Sequence, residues 1–267
     1  MRKWTLFLGL YFCAALLLGG CAMERTAGTA PVGPDPDGET TGDLRQSVTC
    51  RVVAAGEDGL LTLAELGGEG VYLLSAPELE VRPGQLVDVE YGEVLETYPL
   101  QFGGEVTAEP WPETDGFDDR CALYLRVLND LWEEDPGLNN GVEQVGVDLS
   151  ATSLSESERS AVAWAFAAQH SAELAEGTRQ ELIDQGLIST MVIDPERDCL
   201  PVYQWENGCL YSITEKPMEG MYSLIPVTFD AEKWRSGTGA YYYCDCTALR
   251  SAAGQWSDYT VGAHAIS

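Results

Sequence analysis

The hydrophobic pattern divides the chain into four stretches. Trp4 to Leu18 is almost wholly apolar and follows Arg2 and Lys3. A positive n-region before an apolar run shorter than the roughly 20 residues of a spanning helix is the pattern of a secretory signal. Residues 22–45 have no apolar period and are rich in Gly, Pro, Thr and Asp. They read as a disordered tether with a reach of roughly 25–30 Å. Between 46 and 110 apolar residues alternate in short bursts at Val48–Val53, Leu60–Leu66, Val71–Leu74, Leu86–Val89, Val94–Tyr98 and Val106–Ala108. Asp58-Gly59, Gly67-Gly68 and Pro83-Gly84 separate them as turn signals, and short strands at this spacing predict a small β-barrel.

From 111 the period changes. Phe117, Cys121, Tyr124, Leu125, Leu128, Leu131 and Trp132 follow helical spacing, with Asp115 as the expected N-cap and Pro136-Gly137 as the stop. Val145, Val147 and Leu149 alternate as a strand. Ser155 with Glu158, and Thr178 with Glu181, have capping-box spacing and open two further helices. The second of these is expected to close at Gly186, with Leu182 and Leu187 as the apolar pair of a Schellman motif. Asn207-Gly208 between Tyr203–Trp205 and Leu210–Ile213 predicts a tight hairpin. Strands at about 221–229, 239–248 and 256–265 complete an expected antiparallel sheet. The fold class is therefore α+β, a β-domain at 46–110 followed by helices and then a sheet at 111–267.

The apolar run ends in Leu18-Gly19-Gly20-Cys21. This resembles the lipobox of bacterial lipoproteins. The resemblance implies that the signal, residues 1–20, is removed and that Cys21 becomes the mature N-terminus, bearing a diacylglycerol thioether. The protein is then held on the cell membrane by a lipid anchor, facing outside the cytoplasm, since two acyl chains give stable anchoring. Arg82-Pro83-Gly84-Gln85-Leu86-Val87-Asp88-Val89, with Tyr91-Gly92 and Glu96-Thr97-Tyr98-Pro99, resembles the OB-like domains of small uncharacterised bacterial lipoproteins. The second half is similar to the C-terminal domain of such lipoproteins in Lys233–Tyr241 and Tyr259–Ala263. Its element order also resembles cystatin-like or NTF2-like layouts. These resemblances imply folds and no known activity.

Charge narrows the function. The 267 residues hold 43 Asp+Glu against 15 Lys+Arg, a net charge of −28, and losing Arg2 and Lys3 makes it −30. Residues 46–110 carry 12 acids against Arg51 and Arg82 alone. Nucleic-acid binding, which needs clustered cations, is excluded as a role. A protein, peptide or glycan ligand remains.

No nucleophile elbow, metalloprotease helix, P-loop or dinucleotide fingerprint occurs. No catalytic residue, cofactor or metal is assigned. Asp35, Asp37 and Asp43 lack calcium-loop spacing. The two histidines are His170, near a helix C-terminus where a cation suits the dipole, and His264. A nucleophile pair of His264 with Cys244 or Cys246 would support the alternative, a cell-envelope hydrolase acting on peptide or glycan. Cys244 and Cys246, two apart on one strand, are expected on one face. Cys50, Cys121, Cys199, Cys209, Cys244 and Cys246 are buried thiols or form one or two disulfides. The stretch Lys233–Tyr243 concentrates Trp234, Arg235, Tyr241 and Tyr243, the candidate ligand-binding residues. They form either an aromatic, Arg-lined mouth or a turn with a packed aromatic face.

Overall fold

A computed structural model describes residues 45–191, 202–217, 226–256 and 258–267. The signal sequence, Cys21, nearly all of the tether and Cys199 lie outside the described residues. The fold is mixed α+β.

The first sheet comprises β1 (Gln46–Ala55), β2 (Leu60–Glu65), β3 (Val71–Ser75), β4 (Leu86–Tyr91), β5 (Glu93–Leu95), β6 (Leu100–Gly103) and β7 (Thr107–Pro110). Its order is β5-β6-β3-β2-β1-β4-β7. The alternation reads through to packing. Cys50, Val52, Leu61, Leu63, Tyr72, Leu74, Val87 and Val89 all face one core, stacked around the Tyr72–Phe102 ring pair at 4.7 Å. The sheet keeps two edge strands, so the barrel expected here is not closed. Val53, Ala64 and Val71 point the other way, into a core shared with the helices. β1 is thus buried on both faces, and its apolar residues run together where a half-exposed strand would alternate.

The remaining elements are α1 (Arg120–Glu133), β8 (Gln144–Asp148), α2 (Glu156–Gln169), β9 (Glu173–Ala175), α3 (Arg179–Asp184), β10 (Ser189–Met191), β11 (Val202–Gln204), β12 (Gly208–Glu215), β13 (Val227–Ser236), β14 (Gly239–Ala248) and β15 (Ala263–Ile266). The central path of the second sheet is β9-β8-β12-β13-β14-β15, with β10 and β11 attached at the end of β13. α1 and α2 cover one face. Tyr124, Leu128, Leu131, Val162 and Phe166 pack there against Tyr211, Ile213 and Phe229. A smaller cluster of Leu182, Trp205, Leu210 and Trp234 lies beneath α3.

Both capping boxes form, at Ser155/Glu158 and Thr178/Glu181. The Schellman closure is present too. Gly186 N donates to Ile183 O at 2.9 Å and Leu187 N to Leu182 O at 3.0 Å. α1 starts later than expected. Its N-cap is Asp119, not Asp115, because Gly116 takes φ 69 and breaks the period. Phe117 therefore packs from the approach to the helix.

Two expectations about the second sheet are corrected. The sheet is not wholly antiparallel, since β8 pairs in parallel with both β12 and β9, with α2 as the crossover. β11 and β12 also do not form the expected Asn207-Gly208 hairpin. β12 has β13 on one side and β8 on the other, so no side is left for β11. Trp205 is folded under Gly208, where a Cβ would come within 2.0 Å of the indole. Asn207 O accepts from both Glu143 N and Gln144 N. The Asn-Gly pair thus lets the chain cross a buried tryptophan.

Candidate functional site

The four residues singled out in the β13–β14 hairpin do not share a cleft. Trp234 stands opposite Ala240, and Lys233 opposite Tyr241. Residues directly opposed across a ladder share a face, so Trp234 lies on one side of the sheet and Tyr241 and Tyr243 on the other. Trp234 is 5% exposed, and the Arg179 guanidinium sits 4.6 Å from its ring centroid. The donors of Arg235 serve Leu138 O (2.9 Å), Asn140 O (2.6 Å) and Glu206 O (2.6 Å), stitching two loops to β13. Tyr243 is buried and donates to Glu134 Oε1 at 3.1 Å. The Tyr241 hydroxyl lies 3.1 Å from His264 Nδ1.

Cys244 and Cys246 do not lie on one face. β14 carries a bulge opposite Asp230, with Asp245 at φ 55, and the extra residue reverses the alternation. Tyr243 and Cys246, three apart, both enter the core, while Cys244 stays outside it. His264 opposes Tyr243 and Cys244 opposes Ala263. Cys244 and His264 therefore occupy opposite faces and form no nucleophile pair. His170 caps α2 by stacking on Trp132 at 4.0 Å, its Nε2 2.8 Å from Asn129 Oδ1. Burial pushes its pKa down, against a weaker upward pull from Glu133. The ring stands at the C-cap of α2.

The described cysteines, Cys50, Cys121, Cys209, Cys244 and Cys246, are free. Burial raises the Cys50 and Cys246 thiols to about 12 and Cys209 to about 11, and pushes Cys121 well above the ordinary value. Because the thiolate is the reactive form, iodoacetamide on the native protein should alkylate Cys244 and spare these four. All five should react after unfolding. Peptide mass mapping checks this, and prompt native modification of Cys121 or Cys209 would contradict the packing.

Among the described residues a separate concavity lies where the first sheet meets the approach to α1 and the loop after β14. It encloses about 910 Å³. Three guanidinium groups gather there on one short segment, Gly116–Asp118. Arg51 Nη1 donates to Gly116 O (3.0 Å), Asp118 O (3.3 Å) and Gly84 O (2.9 Å). Arg250 Nη2 reaches Phe117 O (3.3 Å) and the Asp118 carboxylate (3.4 Å). The Arg82 guanidinium lies 4.4 Å from the Phe117 ring centroid. In a chain with 15 basic residues, this is a notable concentration of cations.

Local chemistry fixes each wall. Gly84 takes φ 96, and a Cβ there would meet the Asp119 backbone at 2.8 Å, so only glycine lets this turn touch the approach to α1. Asp118 Oδ1 accepts from Arg120 N (3.0 Å) and Trp256 Nε1 (2.8 Å), and Asp119 Oδ1 from Trp256 N (2.7 Å). Trp256 is held between Arg120 and Arg250, at 4.6 and 5.9 Å. Burial pushes the Asp119 carboxyl up, while the hydrogen bond from Trp256 N–H pulls it back. On the floor, Arg51 Nε pairs with Glu158 Oε1 at 2.8 Å. Glu158 is the capping-box residue of α2, so one carboxylate joins β1 to the helix N-terminus.

Chemically the crevice offers directional N–H donors, with the carboxylates of Glu113 and Asp118 beside them. Among the described residues no group of three or more His, Cys, Asp or Glu is placed to hold a metal. No described helix is long and apolar enough to cross a membrane. The sequence reading missed this site. Its one signal was the scarcity of bases, with Arg51 and Arg82 the only two in 46–110, but nothing local brings Arg250 to them. Compared with protein-family models and with curated proteins, the chain matches none.

Proposed function

We propose that the protein is a lipid-anchored binding protein on the outer side of a cell membrane, with the arginine crevice as its ligand site. The lipobox Leu18-Gly19-Gly20-Cys21 behind a charged and apolar leader carries the anchoring. The crevice supports the binding role. It is walled by the first sheet, the approach to α1 and the loop after β14, and a pocket of a few hundred Å³ lined by a few fixed polar groups is the usual form of a ligand site.

Residues 46–110 form a partly open OB-like barrel. Supporting it, β4 passes into β5 through Gly92 alone, and Gly92 N donates to Gly103 O at 3.3 Å. β3 also pairs in parallel with β6. A single strand can in this way serve β1 at one end and β6 at the other.

Metabolic labelling with a fatty acid tests the anchor. Wild-type protein is expected to take up label, and Cys21→Ser to take up none and to accumulate with its leader uncut. Equal label on the variant would refute the lipoprotein reading.

A further inference from the structure

We infer that the crevice takes the C-terminal carboxylate of a short peptide between Arg82 and Arg250. This deepens the proposal of a ligand site there and rests on it. The three arginines are not equivalent. Arg51 is 9% exposed, and its Nε and Nη1 donors are committed to Glu158 and three carbonyls. It holds the floor. The side chains of Arg82 and Arg250 are 40% and 41% exposed.

Arg82 makes one side-chain hydrogen bond, through Nη2 to Glu113 at 2.8 Å, with a carboxylate that is itself 60% exposed. Its Nε is buried without a hydrogen-bond partner. The contacts of Arg250 to Gly254 O, Phe117 O and Asp118 Oδ2 are long, at 3.3–3.4 Å. Both planar forks can therefore turn donors toward a ligand, and a guanidinium fork matches a carboxylate in bidentate fashion.

Charge and shape select among anions. Each arginine already faces one carboxylate, Arg51 with Glu158, Arg82 with Glu113 and Arg250 with Asp118, so a ligand must displace or share the exposed partners Glu113 and Asp118, which suits a single negative charge and not several. The surrounding net charge of −28 opposes a polyanion. Phe117, the one aromatic residue of the lining, is 5% exposed and lies beneath Arg82, so no open ring is offered for a sugar to stack on. The far wall is Ser251, Ala252, Ala253 and Gly254. It carries no acid.

The test uses the full-length protein in detergent, titrated by calorimetry. The probes are a pool of tripeptides with free C-termini, the same pool amidated, galacturonate and inorganic phosphate. The free-acid pool is expected to bind at least about tenfold more tightly than the amidated pool. Arg82→Gln and Arg250→Gln should each lose about tenfold or more. Arg82→Lys should recover only part of the loss, with melting temperatures of all three variants near wild type.

Equal binding of acid and amide, tighter binding of galacturonate or phosphate, or unchanged affinity in both Gln variants would overturn the carboxylate assignment and leave the ligand site standing. Failure of every probe, the amidated pool included, would remove both.

Discussion

Arg51→Met should lower the melting temperature by about 6–20 °C, corresponding to a loss of about 3–5 kcal/mol. The side chains of Arg51 and Glu158 are 11% and 18% exposed. Removing the guanidinium leaves a largely buried carboxylate without its counter-ion and takes the Arg51 donor from the carbonyls of Gly116 and Asp118, while Gly84 O keeps the Asp118 N–H. Breaking one side of a buried pair costs far more than the pair itself contributes. Glu158 would keep its bond from Ser155 N, so α2 should stay capped and the loss should fall on the junction with the first sheet. The double variant Arg51→Met with Glu158→Gln should recover part of the loss, because no uncompensated charge then remains. A thermal melt followed by circular dichroism checks both. A single variant within about 2 °C of wild type would show that the pair holds nothing together.

Lys233→Met should be nearly as damaging, at about 3 kcal/mol or more. Lys233 is 0% exposed. Its Nζ donates to Glu134 O (2.6 Å), Trp132 O (3.0 Å) and Asp135 O (3.3 Å). A cation on β13 thereby caps the C-terminus of α1, where the helix dipole favours positive charge. Burial pushes the ammonium pKa down, and the nearby Cys209, Asp135, Glu133 and Glu134 pull it back. Methionine fills the stem's volume and satisfies no carbonyl. Hydrogen exchange should show the last turn of α1 opening earlier than in wild type, and unchanged protection there would contradict the capping role.

Local chemistry in this chain was legible and long-range pairing was not. Ser155 and Thr178 announce their helices because a capping box is complete within four residues. Gly186 does the same for a helix end. The strands β1 to β4 are legible from short apolar bursts and the turn signals between them, although β1 is buried on both faces and does not alternate. Asn207-Gly208 misleads because hairpin chemistry is local, whereas the parallel neighbour β8 comes from more than 60 residues earlier in sequence. The single bulge at Asp245 overturns the facing of Cys244 and Cys246, and nothing in Tyr243–Cys246 marks it beforehand. The burial of Lys233 has no local signal, because the carbonyls it serves belong to the end of α1, about a hundred residues earlier. The arginine crevice is the extreme case. Gly116–Asp118 gathers Arg51, Arg82 and Arg250 from positions spread over some two hundred residues, a convergence that only the assembled topology creates.

The proposed lipid anchor is tested most directly by the mass of the protein extracted from membranes. Intact mass and N-terminal peptide mapping should give a chain that begins at Cys21 and carries acyl chains through a diacylglycerol thioether on that residue. Recovery in the aqueous fraction of a chain that begins elsewhere, or that bears an unmodified Cys21, would contradict it.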